Sequence, residues 1–138
     1  KIVNKKKRNI YCKRLRVGGS SYKSRKVRNE HEFELFLKSK GFEIVIFDYL
    51  DITEQIDIMY NSKIVVGLFG SNLTNIIFKK TGNVIELTDK TDLTSKFYKN
   101  ICEQRNINHY RLNFNKNKNQ ETLINYKLLG NLIDKLEK

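Results

Sequence analysis

The sequence predicts an α/β fold: a Rossmann-like, mostly parallel sheet of about five strands with helices on both faces, in one domain spanning the chain. Three observations predict it. Short runs of apolar, β-branched residues recur along the chain, as strands covered on both faces require. Between them lie segments whose apolar positions repeat at helical spacing. The length, 138 residues, suits one core, since a chain of about 150 residues buries roughly 70% of the surface its unfolded form exposes.

The elements follow in order. "NIYCKRLRV" (9–17) reads as a first strand, and "GGSSYKSRKVR" (18–28) as a Gly/Ser loop carrying four cations. Asn29 with Glu32 makes a capping-box-like start for a helix that buries Phe33, Phe36 and Leu37 and stops at Gly41. "FEIVIFDYL" (42–50) is a strand. Asp51 with Glu54 repeats the capping signature, for a helix expected to bury Ile52, Ile56, Met59 and Tyr60. The apolar run 63–69 forms the next strand and hands over at Gly70-Ser71-Asn72 to a helix over about 71–79, with Leu73, Ile76 and Ile77 recurring. Thr81-Gly82 turns into strand 83–88, "NVIELT". A helix over about 92–105, a strand 108–114, the polar linker "NKNKNQ" and a closing amphipathic helix complete the pattern. The last helix is expected to turn Leu123, Leu128, Leu129, Leu132, Ile133 and Leu136 inward.

Composition narrows the function classes. A net charge of +12 and a pI near 9.7 suit a polyanion. Lys, Asn and Ile are abundant together while Pro and Trp are absent, a bias that A/T-rich coding also produces, so a nucleic-acid partner is not expected. Cys12 and Cys102 match no metal or redox spacing and read as reduced, partly buried thiols. His31 and His109 form no ligand pair. No metal and no cofactor are expected. No window approaches the run of about 18 apolar residues that a membrane span needs, and the basic N-terminus is followed by no apolar signal core. The chain begins with Lys and its only Met is Met59, so it is expected to be a piece of a longer protein.

The handover at Gly70-Ser71-Asn72 carries the most chemistry. In an open parallel sheet, ligands bind at the carboxyl ends of the strands, where helix N-termini leave N–H groups outside the hydrogen-bond ladder. Gly70 can adopt a positive φ and admit a ligand to the backbone, Ser71 or Asn72 can cap the helix, and the amides favour an anion such as phosphate without any charged side chain. The same residue types also serve as ordinary turn and cap residues. The loop is neither a GxGxxG nor a P-loop, because no Gly-Lys-Ser/Thr follows.

Residues 24–87 resemble the family-61 glycosyltransferases. The family shows an Arg before an Asn-Glu pair, a Gly-Phe strand, a Glu-Gln helix start, a Gly-x-His-Gly-Ala-x-Leu-Thr-Asn loop and a Val-Ile-Glu strand. These fall on Arg25 with Asn29-Glu30, on Gly41-Phe42, on Glu54-Gln55, on Gly67 to Asn75, and on Val84-Ile85-Glu86. Phe69 stands where the family has His, and Ser71-Asn72 where it has Ala and a small residue.

The resemblance implies the donor-binding, Rossmann-like C-terminal half of a two-domain GT-B-type enzyme. Such an enzyme transfers a sugar from a nucleotide, here expected to be UDP, to an acceptor hydroxyl with inversion. The acceptor and catalytic base are expected in the N-terminal half, so the chain alone is expected to be inactive. Expected partners are the nucleotide sugar, a glycan or protein acceptor and that N-terminal half. The alternative is a non-catalytic small-molecule or polyanion-binding α/β module.

Candidate donor or phosphate contacts are Arg14, Arg25, Gly70, Ser71, Asn72, Leu73, Thr74, Asn75 and Glu86. Arg25, with Arg28 nearby, offers a diphosphate a planar fork of donors. Glu86, near the carboxyl end of its strand, can accept from ribose hydroxyls, or can sit on the outward face of an edge strand. Asn29 (a helix cap or a ligand contact), Glu30 (orienting the Arg loop or favouring a helix dipole) and Gln55 are supporting residues.

Overall fold

The computed structural model describes residues 7–14, 27–68, 70–89, 96–114, 118 and 123–138. Five strands, β1 (Arg8–Cys12), β2 (Phe42–Val45), β3 (Ser62–Leu68), β4 (Asn83–Asp89) and β5 (Asn108–Phe114), form one sheet in the order β2-β1-β3-β4-β5. Every pairing is parallel. The helices are α1 (Glu30–Ser39), α2 (Ile52–Tyr60), α3 (Phe97–Gln104) and α4 (Tyr126–Glu137), with 3₁₀ segments at Phe47–Tyr49 and Ser71–Phe78.

Alternation along the strands makes two cores. On one face Ile10, Cys12, Val65 and Val84 pack under Met59 of α2, Leu73 and Ile76 of the 3₁₀ segment, and Tyr98 and Cys102 of α3. On the other, Tyr11, Ile64, Val66, Ile85 and Leu87 pack under Phe33 and Leu37 of α1 and Leu129 and Ile133 of α4. The predicted α/β fold, with a parallel five-stranded sheet and helices on both faces, is the one observed.

Several local expectations give way. Residues 71–78 form a 3₁₀ helix rather than an α-helix. Ser, Asn, Thr and Ile are weak α-formers, and a three-residue period superposes Leu73 and Ile76. Both are fully buried, whereas Ile77 is exposed. Ile52 and Ile56 of α2 also face outward, 59% and 38% exposed, while Met59 is buried. The face that α2 presents to the sheet is thus set by Met59 rather than by the two isoleucines. In the last helix, which starts at Tyr126, Leu129 and Ile133 are buried and Leu132 and Leu136 pack beside them; Leu123 and Leu128 are exposed. The first strand stops at Cys12, and predicted positions 15–17 lie outside the described residues.

The amino end of the sheet is tied by a buried lysine. The Lys79 ammonium, wholly shielded from solvent, donates to the Ser62 carbonyl at 2.7 Å, the Ser62 hydroxyl at 3.1 Å and the Lys63 carbonyl at 3.1 Å. Burial brings its pKa down to about 7. The Arg105 guanidinium in turn donates to the Lys79 carbonyl at 3.1 Å.

Candidate functional site

The strand order reverses between β1 and β3: the chain leaves β1 for α1 on one face, and leaves β3 for the 3₁₀ segment on the other. A crevice at the carboxyl ends of two such strands is where open α/β sheets bind ligands. The Gly70 handover lies on it.

Gly67, on β3, makes the handover possible. A Cβ there would lie 2.6 Å from Leu73 Cδ2 and 3.6 Å from Cys12 Cβ, so the missing side chain lets Leu73 fold back over the sheet. Gly70 then adopts φ 156° and ψ 176°, a region essentially reserved for glycine. The Leu73 N–H donates to the Gly70 carbonyl at 3.0 Å. This is the first bond of the i→i+3 ladder, so the Ser71 and Asn72 amides stand ahead of it. The Gly70 carbonyl also accepts from the hydroxyl of Tyr98, a buried residue of α3.

Beside the handover, a pocket of about 450 Å³ opens at the carboxyl ends of β1 and β2, within the usual range of about 300–1,000 Å³ for ligand sites. It is lined by Lys13 and Arg14 after β1, by Glu30, His31 and Glu34 in the first turns of α1, and by Ile46 and Tyr49 after β2. Lys13 closes its backbone onto the Val45 carbonyl at 2.9 Å and its ammonium onto Glu34 at 2.7 Å. Tyr49 stands 72% exposed at the pocket. The Gln55 amide fixes that turn, donating to the carbonyls of Phe47 and Leu50, each at 3.0 Å.

The predicted site residues separate accordingly. Gly70, Ser71 and Asn72 lie at the carboxyl end of β3, at the head of the 3₁₀ segment. Arg14 and Glu30 line the pocket, and Gln55 supports its Tyr49 wall. Thr74 is exposed and Asn75 half-buried on the 3₁₀ segment. The Leu73 side chain is buried in the core and its N–H donates to the Gly70 carbonyl. Asn29 occupies the N-cap position of α1 in the left-handed region (φ 53°, ψ 48°) and makes no side-chain cap bond. A capping side chain needs extended backbone to reach the following amides, so the capping box predicted there does not form. At α2 it half-forms, the Asp51 carboxylate accepting from the Glu54 N–H at 2.8 Å. Arg25 and Phe69 lie outside the described residues.

Glu86 is fully buried on β4, between β3 and β5, so the outward face of an edge strand is not its place. Its carboxylate accepts from His109 Nε2 at 2.9 Å and from Arg111 Nε and Nη2 at 3.2 and 3.1 Å. The β4–β5 register sets Arg111 opposite Glu86 and His109 two residues earlier on the same face. Burial pushes the Cys12 thiol up to about 12 and the Cys102 thiol up to about 11, so neither serves as a nucleophile near neutral pH. Among the described residues, no three His, Cys, Asp or Glu side chains converge to hold a metal.

Sequence reasoning missed Lys13, His31, Glu34, Tyr49 and Tyr98. Each looks like a solvated charge or a core aromatic in its own segment. Lys13, His31, Glu34 and Tyr49 converge because β1 and β2 lie side by side, whereas Tyr98 meets Gly70 from the other face of the sheet.

The family model for glycosyltransferase 61 matches residues 1–85, which takes in β1 to β3, the Gly70 handover and the start of β4. The chain belongs to the glycosyltransferase 61 family. A search of curated proteins found no match. Family membership places the chain among transferases that act between a sugar donor and an acceptor, and the matched residues include the Gly67 to Asn75 stretch.

Proposed function

We propose that the chain is the donor half of an inverting, GT-B-type glycosyltransferase that binds a UDP-linked sugar without a metal. The observation that carries this reading is the Gly70 handover at the β1/β3 crevice of a family-61 chain. The Ser71 and Asn72 amides, with Arg25, receive the diphosphate and stabilise the charge that builds on it as the glycosidic bond breaks. A base from the N-terminal half deprotonates the acceptor hydroxyl. The neutral, hydroxylated parts of the donor belong in the adjoining pocket, where Glu30 and Glu34 repel phosphate but accept from hydroxyls and Tyr49 offers a ring face. Ribose is assigned there rather than to Glu86, whose carboxylate His109 and Arg111 already engage.

Calorimetry with UDP and UMP tests the reading. One exposed half-site is expected to bind UDP with a Kd on the order of 0.1 to 1 mM, and UMP more weakly. Arg25→Ala is expected to lower UDP affinity roughly 10- to 150-fold, the worth of a hydrogen bond to a charged group, with Arg25→Lys recovering part. Lys5→Ala and Lys7→Ala are the charge controls. Equal small losses across all these variants, or equal affinity for UDP and UMP, would show net charge acting rather than a site. Phe69 in place of the family His favours one second reading, a nucleotide-binding relative that transfers nothing even when joined to its N-terminal half.

A further inference from the structure

Tyr98 lies beyond the residues that the family model matches, on a helix with no other part in the site. Its ring is buried among the side chains that α3 packs on the sheet, edge-on to Phe97 at 5.1 Å between centroids. Its hydroxyl reaches back to the Gly70 carbonyl. That contact joins the α3 face of the core to the peptide unit at the head of the 3₁₀ segment.

Peptide geometry gives the contact its consequence. The Gly70 carbonyl and the Ser71 N–H belong to one planar trans unit, so they point in opposite directions. Drawing the carbonyl into the core drives the N–H the other way. The opposite orientation would turn a carbonyl oxygen toward the crevice, where it would repel a phosphate. Glycine's freedom makes that flip accessible, because Gly70 has no Cβ to bias either arrangement. Among the described residues, two donors hold the carbonyl in place: the Leu73 N–H, which is local, and the Tyr98 hydroxyl, which is tertiary.

We propose that Tyr98 is a positioning residue for the donor loop, its hydroxyl fixing the Gly70–Ser71 peptide so that the Ser71 amide faces the diphosphate. This rests on the reading above for its ligand, but not for its geometry. Tyr98 touches no donor atom. It acts through Gly70, and it couples a residue outside the matched family region to the loop inside it.

The test uses the full 138-residue chain with Tyr98→Phe, which keeps the ring and therefore the packing, and Tyr110→Phe on β5 as a control. Two readouts are taken: UDP and UMP affinities by calorimetry, and the amide resonance and hydrogen exchange of Ser71 and Leu73 by NMR. Expected for Tyr98→Phe are a UDP affinity about 10-fold lower, a smaller loss for UMP, and a displaced Ser71 amide with faster Leu73 exchange. Tyr110→Phe should change none of these. If the unmutated chain binds UDP and Tyr98→Phe binds it equally well, the proposal is overturned whatever the amides do. If the unmutated chain ignores UDP, the donor reading fails and the Ser71 amide decides: a displaced resonance upholds positioning, an unmoved one overturns it.

Discussion

At the amino end of the sheet the polar side chains described close onto one another, whereas at the carboxyl end several side chains line a pocket. The Lys79 ammonium has three acceptors and no solvent. Arg8 grips Glu43 with both Nε and Nη2, Lys63 and Asn9 share Glu137, and Lys40 meets Asp134. At the other end Gly70 stands in a glycine-only conformation, the Ser71 and Asn72 amides precede their ladder, and Tyr49 is mostly exposed. The difference teaches how one parallel sheet divides its labour. Where strands begin, paired polar groups stabilise; where they end, a strand-to-helix handover and a pocket occupy the edge at which open parallel sheets bind ligands.

The same contrast appears between two helix starts at the carboxyl end. Asp51 satisfies an amide of α2 with its own carboxylate, which leaves that terminus unfit for an anion. The 3₁₀ segment begins at a glycine that has no side chain to do so. One terminus is closed by its sequence and the other is kept open by it.

The largest expected effect is at Lys79. Lys79→Ala leaves three acceptors and a cavity, and is expected to cost about 3 to 5 kcal/mol of stability in chemical denaturation, with UDP affinity of the folded protein unchanged. A loss of binding at constant fold would break the division between the two ends. Lys79→Met adds a pH signature. With a folded pKa near 7 against an ordinary 10.5, the folded state binds fewer protons than the unfolded between those values, so stability rises with pH across that window. The unmutated chain should therefore gain about 1 to 2 kcal/mol relative to Lys79→Met between about pH 7 and 8.5. Taking the difference cancels Tyr11, Cys12 and Cys102, whose raised pKa values remove stability as their unfolded counterparts ionise at higher pH.

A middle effect is expected at Gly67. Gly67→Ala drives a methyl against Leu73, and overpacking of this kind costs about 1 to 3 kcal/mol. Because Leu73 anchors the 3₁₀ segment, UDP affinity should fall as well, which Lys79→Ala should not cause. Thermal melts beside calorimetry separate the two. The smallest effect is expected for Arg8→Ala. Its pair with Glu43 is exposed, at 36% and 49%, and such pairs contribute about 0.2 to 1 kcal/mol. A double-mutant cycle with Glu43→Gln, repeated at high salt, should show that modest coupling shrinking further.

The sequence by itself determined the class and order of the elements, because apolar runs such as 63–69 and the helical spacing of Phe33, Phe36 and Leu37 are local patterns that burial on both faces demands. It also marked Gly70 and the family-61 stretch, since a glycine followed by small polar residues is legible wherever a strand meets a helix. Tertiary structure decided what each neighbour does. Ile52 and Ile56 look like core but are outranked by Met59, and Leu73 looks like loop but is core because Gly67 makes room beneath it. Glu86 is paired by a strand more than twenty residues away, and Tyr98 reaches Gly70 across the packed face of the sheet. Contacts of this kind depend on strand order and register, and a chain read one segment at a time contains neither.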